Sequence, residues 1–75
     1  MNTYIDEQAL RPFHAKLRAL PSHISGPAGV VVKARLHDAM HALYEARQAD
    51  NFDNALQWLQ YAHEQLDLAL ETAHD

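Results

Sequence analysis

The residues of this chain best suited to chemistry lie in the segment His37-Asp38-Ala39-Met40-His41. Two histidines four positions apart share one face of a helix, the spacing with which metalloprotease helices grip zinc. The second residue of the segment departs from that pattern. Asp38 stands where the catalytic Glu would be, and its carboxylate is one methylene shorter, a poor reach for a general base acting on a zinc-bound water. Glu45 continues the same stripe, so His37, His41 and Glu45 are candidate ligands for a surface zinc, nickel or copper ion. A solvated helix flank carries the same residues, and the leading expectation is no metal and no cofactor.

Other chemistry is thinly represented. With no cysteine there is no disulfide, no thiolate nucleophile and no cysteine-based zinc site. No serine sits with an evident base, and there is neither a glycine-rich phosphate loop nor a basic-aromatic patch. The chain is expected not to be an enzyme. Its six histidines would move the formal net charge from -4 to +2 if all were protonated, which makes a pH-responsive protein an alternative reading. His63 is the one bordering an apolar seam, beside Leu59, Leu66 and Leu70, where a neutral histidine at a core edge is expected. His14, His23 and His74 fall where exposure is expected.

The elements that position these residues read as helices throughout. The first is expected over residues 4–20, with Thr3 as N-cap, Asp6 and Glu7 in the first turn and an apolar stripe through Ala9, Phe13, Leu17 and Leu20, edged by Ile5 and Leu10. Pro12 interrupts that stripe and predicts a kink, a break or a fresh helix start. Residues 21–26 are loop, dense in Pro, Gly and Ser, with Ser25 or Gly26 capping a second helix over 27–49. Its core stripe is Val32, Leu36, Ala39, Met40, Leu43 and Ala46, beside a small-residue strip of Ala42, Ala46 and Ala49. Asp50 and Asn51 are turn and cap formers, so the third helix, 52–73, returns antiparallel to the second.

That last helix carries two seams. The first, Phe52, Ala55, Leu59, Ala62, Leu66, Ala69 and Ala73, is the core face, widened by Leu56 and Leu70. The second is Trp58, Tyr61, Gln65, Leu68 and Thr72, uncharged at every position. Either the N-terminal helix covers it, giving a compact three-helix monomer, or another polypeptide does. A chain of 75 residues buries only about 60% of its unfolded surface and is marginal alone, which favours association.

Charge is divided unevenly. Through residue 49 the chain carries six basic and four acidic residues, and from residue 50 onward six acids with no Lys or Arg, so the two parts hold +2 and -6. Asp53, Glu64, Asp67, Glu71 and Asp75 share one sector of the third helix, expected to be solvated and to attract Arg11, Lys16 or Arg18. Nucleic-acid binding is disfavoured, since only Lys16, Arg18, Lys33 and Arg35 could support it. No apolar run approaches the roughly 20 residues that span a bilayer, and residues 1–7 do not resemble a signal peptide. A cytoplasmic protein without membrane partners is expected.

The segment Asp50-Asn51-Phe52-Asp53-Asn54-Ala55, followed by Leu59 and Ala62, resembles the turn and second helix of a tetratricopeptide repeat. The Trp, Leu-Gly and Tyr positions that precede them in that family are unmatched, and stacked repeats need about three copies, so the likeness implies shared hairpin packing rather than membership. In size, acidity and layout the chain is also similar to the small helical inhibitors and immunity proteins of bacteria and their phages, a likeness of architecture alone.

The sequence thus points to an all-α fold: a helical hairpin plus an N-terminal helix, assembling as a dimeric bundle. The expected role is stoichiometric, as an inhibitor, adaptor or regulator that binds itself and an unidentified protein target, with Trp58, Tyr61, Gln65, Leu68 and Thr72 at the interface. A histidine-based metal or pH-responsive protein and a small DNA-binding regulator are the alternatives.

Overall fold

The computed structural model describes residues 4–74, which form three helices: α1 (Glu7–Ala19), α2 (Gly26–Gln48) and α3 (Phe52–Ala73). The fold is all-α, with no strand among the described residues. α2 and α3 pack along each other as an antiparallel hairpin. At about 1.5 Å per residue their 23 and 22 residues account for most of the molecule's 39 Å length, while the 13 residues of α1 reach only about 20 Å.

The turn is built as its residue types dictate. Asn51 is extended and its Oδ1 accepts from the Asn54 backbone N–H at 2.9 Å, satisfying one of the orphan donors that open α3. α1 begins later than residue 4. Its cap is Asp6, whose Oδ1 accepts from the Ala9 backbone N–H at 2.8 Å, and Thr3, expected to cap, lies outside the described residues. Both residues are good caps, and Asp6 serves here while Glu7 alone provides the first-turn acid. Pro12 sits inside α1, which runs unbroken from Glu7 to Ala19; the expected break or fresh start there does not occur. Pro12 forfeits a single backbone bond, the one to the Gln8 carbonyl.

The start of α2 depends on two glycines. Gly26 has φ +75°, a left-handed conformation that suits glycine. At Gly29 a Cβ would overlap the carbonyl oxygen of Ile24, so the loop backbone lies directly on the first turn of α2.

Packing divides into two regimes. Between α2 and α3 the contact is rich in alanines: Ala39, Ala42 and Ala46 on one side and Ala55, Ala62 and Ala69 on the other, none with any exposure. Small side chains let helix axes come close. Ala42 and Ala46 of the small-residue strip are thus buried inside the hairpin. Over this layer Leu10 and Phe13 of α1 join Leu43 and Leu66, flanked by Ile5, Leu17, Leu20, Leu36 and Leu59. Met40 and Phe52, expected in the core, are exposed instead. Met40 is one residue, about 100°, around α2 from the central Ala39. Phe52 opens α3 beyond the core and stacks edge-on with Tyr4 at 6.2 Å.

α1 runs in the same direction as α3. Near its start the Tyr4 hydroxyl donates to the Asp50 carbonyl at 3.5 Å, and near its end Lys16 pairs with Asp67 at 2.9 Å. The N-terminal segment therefore covers one face of the hairpin.

Candidate functional site

The opposite face is left uncovered by α1. At 3.6 residues per turn, Trp58 stands about 140° around α3 from His63, and Asp38 about 140° around α2 from Leu43. His63 and Leu43 belong to the side that α1 occupies, where Phe13 stacks on the His63 ring at 5.5 Å. Trp58 and Tyr61 keep 37% and 43% exposure. The N-terminal helix therefore does not enclose them.

A cleft of about 530 Å³ opens on that face, lined by Asp38 and His41 of α2 and by Gln57, Trp58 and Tyr61 of α3. Its aromatic wall is a row across the hairpin. His41 and Trp58 meet edge to face at 6.4 Å and 88°, and Trp58 and Tyr61 at 6.3 Å and 89°. Such perpendicular pairs suit the ring quadrupole and contribute about 0.5–1.5 kcal/mol each beyond the area they bury.

The remaining members of the second seam separate from these two. Gln65, expected at an interface with another chain, is buried by the hairpin itself at 6% exposure, its Oε1 accepting from Arg35 Nη1 at 3.0 Å. Its place on the shoulder of the α2–α3 contact explains this, since a seam adjoining the core stripe faces the partner helix before it faces solvent. Leu68 and Thr72 are half-buried. The cleft thus gathers Trp58 and Tyr61 with the α2 residues opposite rather than following one stripe along α3.

His37, His41 and Glu45 are arranged loosely. His41 Nε2 lies 4.0 Å from Glu45 Oε1, and His37 Nδ1 lies 3.9 Å from Asp38 Oδ1, with the His37 side chain 85% exposed. Among the described residues no group of three or more His, Asp or Glu side chains is placed to hold a metal ion. His41 faces Trp58 instead.

The charged residues that a DNA contact would need are partly engaged. Lys16 pairs with Asp67 and donates to His63 Nδ1 at 3.2 Å, and Arg35 is held by Gln65. Accepting at Nδ1 fixes a neutral His63 as the tautomer protonated at Nε2. Burial, then the Lys16 charge, hold its imidazole below the ordinary 6.5, and Asp67 offsets part of this. His63 accordingly sits at a core edge with its neutral form favoured.

Sequence reading missed the joining of Asp38, His41 and Gln57 to the aromatic pair. A signal existed. With the turn at residues 49–51, positions nearly equidistant from it face each other, which sets Arg35 opposite Gln65 and His41 opposite Trp58.

Compared with known proteins, the chain matches no family model, no curated protein and no solved structure. No helix among the described residues is long and apolar enough to cross a membrane.

Proposed function

We propose that this protein acts by stoichiometric binding of another polypeptide on the hairpin face opposite α1, as an inhibitor, adaptor or regulator rather than as an enzyme. The observation that carries the reading is the exposure of Trp58 and Tyr61 beside a cleft on the broad hairpin face that α1 does not reach. Tryptophan and tyrosine are the side chains most often found as energetic anchors of protein interfaces, because they bury a large rigid surface at small entropic cost. Two antiparallel helices with one open face are completed as a bundle when further helices pack on them, supplied by a target or by a second copy in a homodimer.

The test combines light scattering with mutation. Trp58→Ala and Tyr61→Ala are expected to abolish self-association or the capture of a target while circular dichroism stays helical. Since each ring is more than a third exposed in the free protein, the loss of stability should stay near 1 kcal/mol. Unchanged binding in both variants would refute the assignment of this face.

A further inference from the structure

The cleft between α2 and α3 says more about its occupant than the exposed rings alone. Its only ionisable carboxylate among the described residues is Asp38, with a half-exposed side chain whose nearest ion-pair partner among them is the solvent-exposed His37 at 3.9 Å. Arg35, less than one turn away on α2, is turned to Gln65. A partner that covered the cleft with apolar side chains would strip water from the Asp38 carboxylate and leave it unpaired, a cost that normally exceeds what the rings return. A second copy of this chain would bring its own Asp38 and Glu45 to the same face. Both arrangements are penalised by the same residue.

Resting on the protein-binding reading above and narrowing it, we propose that the cleft lined by Asp38, His41, Gln57, Trp58 and Tyr61 receives an arginine side chain from a basic protein partner. The two rings stand at 89° to each other, a corner in which a planar guanidinium stacks on an open aromatic face while its N–H groups turn to an acceptor. Asp38 supplies that acceptor as a carboxylate, and the Gln57 amide carbonyl offers a second. The long-range field agrees with the local one. From residue 50 onward the chain carries six acids and no Lys or Arg, so a basic partner is drawn toward α3 before any contact forms.

The experiment uses the intact chain and small probes. Trp58 is the only tryptophan, so its indole N–H gives one unambiguous signal in a nitrogen-15 correlation spectrum. N-acetyl-arginine amide is titrated against N-acetyl-citrulline amide, which has the same shape with a neutral urea in place of the guanidinium. Arginine is expected to shift the indole signal saturably and to bind at least about threefold more tightly than citrulline. Asp38→Asn should remove that preference, and Tyr61→Leu, which keeps an apolar wall without the ring, should weaken arginine binding. Circular dichroism confirms that each variant is folded. Equal responses to the two probes, an unaltered preference in Asp38→Asn, or no saturable arginine shift would each overturn the proposal. Light scattering on the same samples separates the two levels: a homodimer closed over Trp58 overturns the arginine assignment and leaves the protein-binding reading standing. That wider reading falls by its own test, unchanged binding in Trp58→Ala and Tyr61→Ala.

Discussion

His63 shows how a single side chain here couples packing to pH. It sits against Phe13, accepts from Lys16 and lies near Asp67, so it is surrounded by one aromatic ring, one cation and one anion drawn from α1 and α3. Because its folded-state value lies below 6.5, the unfolded chain binds the proton more readily than the folded one. The sign follows. Its contribution is intact above the unfolded value and declines as pH falls from there through the lower folded-state value. Urea unfolding at about pH 7.5 and about pH 5 should therefore show a larger loss of stability in the native protein than in His63→Gln, which keeps an acceptor but cannot titrate. Carboxylates common to both proteins cancel in that difference. An identical loss in the variant would remove His63 as the cause.

At the scale of elements, the alanine layer between α2 and α3 is the feature that fixes everything above it. Ala62 faces the α2 alanines with no exposed surface, and Leu66, one turn later, has none either. Ala62→Leu has good helix propensity and should nonetheless cost about 1–3 kcal/mol, read as a lower urea midpoint, because the added atoms have nowhere to go. A higher midpoint would mean the helices are further apart than the buried alanines imply. Gly29→Ala is expected to destabilise for a different reason, since the Ile24 carbonyl occupies the space of the new methyl and is backbone that must move.

The hairpin was legible from Asp50 and Asn51 and from the spacing of Ala55, Leu59, Ala62 and Leu66, because turn chemistry and helical period are local properties of the chain. Two things were not. The start of α1 was misplaced because Thr3 and Asp6 are both capping types and only the folded backbone chooses between them. The cleft was overlooked because it joins Asp38 and His41 to Gln57, Trp58 and Tyr61 across a turn: helical period reports faces within one helix, and the pairs between helices emerge only when positions are counted outward from the turn. Gln65 illustrates the same limit: on α3 alone it reads as part of an uncharged stripe, and only Arg35 opposite shows why a buried glutamine is tolerated.

For the whole molecule the question is what keeps α1 in place, since its docking is what makes the two faces of the hairpin unequal. Phe13 is the only large α1 side chain with no exposed surface, and with Leu66 it is one of the two largest fully buried side chains among the described residues. The polar tether beside it, Lys16 to Asp67, is half-exposed and contributes at most about 1 kcal/mol. Phe13→Ala should thus cost about 3–5 kcal/mol, a large share of the roughly 4–11 kcal/mol typical of a domain this size. The expected outcome is a lower thermal midpoint and fast amide exchange throughout α1, with the alanine-packed hairpin the last part to exchange. Lys16→Ala, in comparison, should leave α1 protected. If Phe13→Ala left α1 amides as slow to exchange as those of α2 and α3, the anchor would lie elsewhere in the helix, and the inequality of the two faces would need another source than this one buried ring.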